Sequence, residues 1–153
     1  MNKNLWQVAA MTPADLPEVQ RIEFQSPAPW SPKQLAEELT CAGSLQLICR
    51  SESGEALGGF LMARLLPGEA EILKIATALT FRRQGIANLL LTSFIALARA
   101  RELSRIHLEL RAANTTAHAL YKKNAFEMTG RRRNYYTAPQ DDALCMTLSV
   151  VTG

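Results

Sequence analysis

Residues 71–100 read EILKIATALTFRRQGIANLLLTSFIALARA. The first part, from the preceding Ala70 to Ala78, is a short β-type run. After it Ile86, Leu89, Leu90, Phe94 and Leu97 recur at i, i+3, i+4, i+8 and i+11, the spacing of one helix face. No charge lies between Arg83 and Arg99, so a helix over 82–102 is expected to be largely buried. Between strand and helix stand Arg82, Arg83, Gln84 and Gly85. The first N–H groups of a helix have no internal partner and the helix dipole is positive there, so this junction suits an anion. Gly85 and Ala87 are small enough for a phosphate to approach the backbone, and Arg82 and Arg83 add positive charge. No Gly-Lys-Ser/Thr follows and no GxGxxG is present, so neither a Walker loop nor a dinucleotide fingerprint is formed. On this stretch alone, a helix start with two solvated arginines is an equal reading.

Working outward, residues 5–11 suit a first strand. Residues 12–25 suit a helix capped by Thr12 with Pro13 at its first position, and a Pro-rich bend around Trp30 leads to a second helix started by Ser31 and Pro32. Three β-type runs over 44–50, 55–66 and 70–78 are separated by SESG and PGE turns. After the central helix, RIHLEL (105–110) alternates strictly, with Ile106, Leu108 and Leu110 on one face and His107 and Glu109 on the other. NTTAHALYKKNAF (114–126) is a short helix capped by Asn114, and two closing strands are expected over 127–136 and 142–151. The sum is an α/β chain of about seven strands and four helices in one domain, 1–153.

Composition sets limits on this reading. The chain has 153 residues, 48% of them hydrophobic, enough for one substantial core. Seventeen Lys+Arg against fourteen Asp+Glu give a charge of +3, which favours an anionic ligand but does not mark a DNA-binding protein. Cys41, Cys49 and Cys145 are odd in number and lack CxxC spacing, so reduced thiols are expected, with neither disulfides nor a metal site. No secretory signal or membrane span is read, and a cytoplasmic location is expected.

A second motif gives the glycine turn its meaning. In NTTAHALY (114–121), Asn114 and Tyr121 are two helical turns apart with Ala117 between them, so one face offers an amide, a gap and a phenol. With Arg82, Gly85 and Ala87 matching Arg/Gln-x-x-Gly-x-Gly/Ala, and Asn114, Ala117, Leu120 and Tyr121 matching Asn-x-x-Ala-x-x-Leu-Tyr, the chain resembles the GCN5-related N-acetyltransferases (GNAT). Within that family it is most similar to the RimI-type branch, which acetylates the N-terminal alanine of a ribosomal protein. That likeness rests on PWS (29–31), LELRAANTTAHALY (108–121) and RRRNYY (131–136). It departs from the pattern at Ala125, where a glycine is usual, at Lys74, where a small polar residue is common, and at Ala78, where an acid is frequent.

The resemblance implies a mixed, twisted sheet that splays midway to admit acetyl-coenzyme A. It implies that Ile75, Ala76 and Thr77 line the pantetheine arm, that Arg82, Arg83, Gln84, Gly85, Ile86 and Ala87 meet the pyrophosphate, and that Asn114 and Tyr121 close the other side. Glu109 is then the general base and Tyr121 the proton donor to the departing thiolate. Trp30, Tyr135 and Tyr136 contact the acceptor, a protein N-terminus, with the arginines of RRRNYY facing phosphates or RNA. Other readings stay open at this point: Glu109 as a salt-bridged surface carboxylate, Tyr121 as packing, the arginines as a solvated strand edge, His107 and His118 as surface residues. So do a small-amine or lysine acceptor and a non-catalytic coenzyme-binding or ribosome-associated module.

Overall fold

The structure, a computed structural model, describes residues 5–150. Its elements are β1 (Trp6–Ala10), α1 (Leu16–Phe24), α2 (Pro32–Leu39), β2 (Ser44–Ser51), β3 (Leu57–Leu66), β4 (Glu69–Thr77), α3 (Ile86–Ala100), β5 (Arg105–Arg111), α4 (Thr115–Lys123), β6 (Glu127–Thr137) and β7 (Gln140–Ser149). Val151, expected in the last strand, lies outside the described residues. The seven strands form one open sheet in the order β1-β2-β3-β4-β5-β7-β6. Every neighbouring pair is antiparallel except β4 with β5.

The helices divide between the two faces. On one, Ile86, Leu90, Leu91, Phe94 and Ile95 of α3 and Tyr121 of α4 pack on Leu61, Ile72, Ile106, Leu108, Leu144 and Met146 of the strands. On the other, Val19 and Ile22 of α1 and Leu35 of α2 pack on Ile48, Phe60 and Met62. At about 25 cal/mol per Å2 of apolar surface removed from water, these two cores supply the main drive for folding. The contacts of α1 and α2 centre on β2, β3 and β4, while β6 is exposed along almost its whole length. Among the described residues no helix is long and apolar enough to cross a membrane.

Local chemistry sets the helix starts. Ser31 Oγ accepts from Gln34 N–H at 3.1 Å while Gln34 Oε1 accepts from Ser31 N–H at 2.8 Å, a reciprocal cap that begins α2 where the sequence put it. The first helix differs from expectation. One 3-10 turn, Pro13–Asp15, precedes α1 because Pro17 has no N–H to give the Pro13 carbonyl, and Leu16 N–H takes its place. The central helix differs too: α3 begins at Ile86, not Arg82, because Arg83 and Gly85 sit at φ 66° and 79°, outside helical space. Its buried face is Ile86, Leu90, Leu91, Phe94, Ile95 and Ala98, with Leu89 and Leu97 half-buried at its margin.

Candidate active site

The pairing of β4 with β5 runs from Glu69↔Arg105 to Ile72↔Leu108 and stops. Beyond it, β4 stays with β3 and β5 stays with β7, so the sheet forks. A β-bulge marks the point: Ala63 pairs with Ile72 and Met62 with Lys74, leaving Leu73 over, and bulges bend the strand that carries them. Ile75, Ala76 and Thr77 form one wall of the fork, each half-buried. Glu109, Leu110 and Arg111 form the other and pair only with Cys145, Leu144 and Ala143 of β7. The fork-side backbone of β4 is therefore a free strand edge, able to hydrogen-bond an extended, amide-bearing chain.

The helix mouth stands beside this edge. The first helical bond of α3 is Leu89 N–H to Gly85 O, at 2.9 Å. Among the described residues no acceptor meets the N–H groups of Gln84, Gly85, Ile86, Ala87 or Asn88. A Cβ added at Gly85 would project into open space. Arg82 and Arg83 are exposed and make no ion pair among the described residues. Unpaired amides, open space and two free cations are the donor set a diphosphate requires. This set and the free β4 edge fit a nucleotide thioester with a pantetheine arm.

Three residues that the sequence reading passed over hold the mouth in place. Trp6 Nε1–H donates to Gln84 Oε1 at 3.2 Å, and its ring meets Phe81 edge-on at 5.0 Å. Gly58 and Gly59 let Ile86 lie on β3: a Cβ at Gly58 would stand 2.6 Å from Ile86 Cδ1, and one at Gly59 would stand 2.5 Å from Ala76 O. A glycine pair inside an apolar strand is itself a sign of close approach, and that signal was available in the sequence.

Glu109 is the first β5 residue past the fork. Its Oε1 lies 3.3 Å from Arg132 Nε, and it borders a hollow of about 200 Å3 with Glu71, His107, Arg132, Cys145 and Thr147. His107 is not the free surface residue expected: Nε2 meets Glu69 Oε2 at 2.7 Å and Nδ1 meets Thr147 Oγ1 at 3.0 Å, tying β5 to both neighbours. The arginines of RRRNYY are also partly committed. Arg131 Nε donates to Asp142 Oδ2 at 2.8 Å, and Arg132 meets Glu109 and the Tyr135 ring, while both side chains stay more than half exposed on the edge strand β6, as the solvated-edge reading has it.

On α4, Asn114 Oδ1 accepts from Ala117 N–H at 3.1 Å and caps the helix, with the residue exposed. Tyr121 is buried at 5% exposure, its ring edge-on to Phe126 at 5.4 Å. Burial pushes its phenol up to about 12. No side chain among the described residues hydrogen-bonds the hydroxyl. The helix ends in a Schellman motif, with Phe126 N–H to Tyr121 O at 3.0 Å and Ala125 N–H to Lys122 O at 3.1 Å. Ala125 occupies its left-handed position at φ 70°, where glycine is usual.

Trp30 and the tyrosine pair each have contacts of their own. Trp30 borders a second hollow of about 370 Å3 with Gln34, Glu37, Glu38, Cys41 and Arg64. Its N–H donates to Glu23 Oε2 at 2.7 Å, and the same carboxylate takes an ion pair from Lys74. Lys74 Nζ also lies 5.2 Å from the Trp30 ring, so the unusual lysine of β4 is neutralised inside the fold and holds the α1–α2 connection to the sheet. Tyr135 is half-exposed, Tyr136 less so, and they meet edge-on at 5.1 Å. Burial and the nearby Glu109 carboxylate raise the Tyr136 phenol above its usual value. Arg111 stacks on Tyr136 at 4.3 Å and donates to Pro139 O at 2.7 Å, fixing the β6–β7 turn. Among the described residues no group of three or more His, Cys, Asp or Glu is placed to hold a metal.

Comparison with known proteins bears on what such a fork does. The model of the acetyltransferase (GNAT) family matches residues 15–126. The [ribosomal protein bS18]-alanine N-acetyltransferase of Escherichia coli (strain K12) is 31% identical over 146 residues, covering 94% of this chain and 97% of that one. Its namesake from Haemophilus ducreyi (strain 35000HP / ATCC 700724) is 32% identical over 123 residues, 78% of this chain and 83% of the other. The crystal structure of the ribosomal-protein-S18-alanine N-acetyltransferase from Escherichia coli superposes with a TM-score of 0.89 at 28% identity, over 97% of this chain and 96% of that chain. An open, forked sheet beside a helix mouth of unpaired amides, on a chain this alike to those enzymes, has one explanation: it belongs to the GNAT family of N-acetyltransferases, which use acetyl-CoA.

Proposed function

We propose that this acetyltransferase moves the acetyl group of acetyl-CoA to the α-amine of a protein N-terminus, the alanine that heads a small-subunit ribosomal protein, in the cytoplasm. The observation that carries the reading is the place of Glu109, a carboxylate at the opening of the fork beside the exposed strand β6. Relatives named for bS18-alanine acetylation over 94% of the chain support the choice of acceptor.

Acetyl-CoA supplies an activated thioester. The protein's own residues do the rest. Amides of Gln84, Gly85, Ile86 and Ala87, with Arg82 and Arg83 near, hold the diphosphate; the β4 edge at Ile75–Thr77 aligns the arm, and Asn114 closes its other side. Glu109 takes the proton of the attacking amine, directly or through water. An α-amine has a pKa of about 8 and is about one-tenth neutral at pH 7, whereas a lysine at about 10.4 is neutral in well under one part in a thousand, so a modest carboxylate base suits the former. Tyr121 faces the leaving sulfur. A phenol near 12 is a weaker acid than a thiol of about 8.5, so full transfer to the thiolate is uphill and the hydroxyl acts mainly as a hydrogen-bond donor. Trp30, Tyr135 and Tyr136 guide the acceptor.

Acetyl transfer from acetyl-CoA to short peptides tests this. Peptides with a free N-terminal alanine are expected to turn over, those with a free serine more slowly, and blocked peptides with an internal lysine very little. Equal turnover of blocked lysine peptides would assign the enzyme to side-chain amines instead, and turnover of free polyamines alone would assign it to small amines.

A further inference from the structure

The carboxylate that the proposed reaction uses is already holding a cation. Arg132 is the one cationic side chain in salt-bridge contact with Glu109 among the described residues, with Nε 3.3 Å from Oε1. The neighbouring Arg111 is committed elsewhere, to the carbonyls of Pro139 and Ala138 and to the Tyr136 ring.

Among the described residues the Arg132–Glu109 contact is the longest of the arginine pairs, Arg131 Nε reaching Asp142 at 2.8 Å. Arg64 grips Glu38 through two nitrogens at 3.0 and 2.6 Å, and Arg50 reaches Asp15 at 2.8 Å and Glu18 at 3.0 Å. The Arg132 side chain is 60% exposed and its contact with Glu109 is longer. It also has a second place to rest: its guanidinium carbon is 5.7 Å from the Tyr135 ring centre. The backbone around it departs from regular pairing, since Arg132↔Ala143 is the last regular pair before the register breaks as far as Tyr136, with Asn134 at φ 52°.

A guanidinium paired with the carboxylate stands where the charge of an arriving amine would have to sit. An arriving α-ammonium carries the same charge as the guanidinium and makes shorter contacts with a carboxylate. We propose that Arg132 occupies the seat of the substrate's amine on Glu109 and is displaced from it, toward Tyr135, when a protein N-terminus binds. Arg132 is thereby a positioning residue that sets how tightly the enzyme takes its amine. This rests on Glu109 being the carboxylate that meets the amine.

The test is R132Q, assayed with an alanine-initiated peptide and with the same peptide N-terminally blocked. For the free peptide, KM and the Kd by calorimetry fall about two- to fivefold, the worth of an exposed ion pair. The kcat, coenzyme A affinity and melting temperature stay unchanged, and the blocked peptide, which brings no ammonium, binds both proteins equally. R132K, which keeps the charge, retains a KM near that of the unsubstituted protein. In a Glu109→Gln background R132Q no longer moves the peptide Kd. A KM that stays put or rises in R132Q, with Glu109→Gln inactive, overturns the role of Arg132 alone. Full activity in Glu109→Gln removes the base and this proposal together.

Discussion

His107 and Glu109 are two residues apart on one strand and one face, yet the fork gives them opposite fates. His107 sits where β4, β5 and β7 are all paired, and both its ring nitrogens are bound across the strands. Glu109 sits just beyond the last β4–β5 pair, where one neighbour has departed and a single exposed arginine touches it. Alternation in a sequence tells which face a residue takes. Whether its partners are still there is decided by where the ladder stops.

The hardest test of that contrast exchanges the chemistry at each position. Glu109→Gln keeps the shape and removes the base, so kcat is expected to fall by about 10²–10⁴-fold with coenzyme A binding and melting temperature little changed. His107→Gln is expected to do the reverse, costing about 1 kcal/mol of stability in urea titration while kcat holds. A His107 variant that loses as much activity as the Glu109 variant would mean that the paired end of the strand belongs to the reaction as well.

Gly85 and Ala125 make a second contrast, since both are left-handed but only Gly85 stands at the proposed phosphate site, with open space before it. Gly85→Val fills the approach to the unpaired amides and is expected to weaken coenzyme A binding by about 10–100-fold, the worth of one or two hydrogen bonds to a charged group. Calorimetry decides it. Undiminished affinity in a folded variant would move the phosphate site away from α3.

Much of this was legible before the fold was known, for physical reasons. Ser31–Pro32, Thr12–Pro13 and Asn114 are local helix-start signals that act within one turn, and the alternation of Ile106, Leu108 and Leu110 fixes a buried face without knowledge of the partner. The fork itself had no signal of that kind and entered only through the family likeness, because the end of a ladder depends on a bulge at Leu73 and on two strands over 30 residues apart. Separation along the chain also hid the Lys74–Glu23 pair and the Arg132–Glu109 contact. The start of α3 was misplaced because no periodicity reveals that Arg83 is left-handed.

Tyr121 separates packing from chemistry in a smaller way. Tyr121→Phe keeps the edge-on contact with Phe126, so the melting temperature near neutral pH should hold while kcat falls about tenfold, the loss of one hydrogen bond to a developing charge. Because burial lifts the phenol to about 12, against about 10 in the unfolded chain, it stays protonated throughout the working range and sets no alkaline limb below about pH 10. Above that the sign is fixed: the unfolded chain ionises first, so this residue's share of stability is lost as pH rises from about 10 to about 12. Tyr121→Phe should therefore lose less stability than the unsubstituted protein over that interval. A variant that melts much lower at pH 7 would show that the hydroxyl holds the fold and has no part in the transfer.

The smallest effect completes the contrast between the two left-handed positions. At Ala125 the Cβ crowds its own backbone at φ 70°, which costs about 1–2 kcal/mol in an L-residue. Glycine relieves that strain but gives the unfolded chain more freedom, worth about 0.4–1 kcal/mol in the opposite direction. The balance favours Ala125→Gly by about 0.5–1 kcal/mol, or about 1–4 °C in melting temperature for a domain of this size. Both hydrogen bonds of the Schellman motif and the Tyr121–Phe126 contact are kept, so kcat and KM should not move. If stability instead falls, the Ala125 methyl is packed usefully enough to outweigh its strain. If stability rises but kcat falls with it, the C-terminal turn of α4 is setting the aim of Tyr121 across the fork.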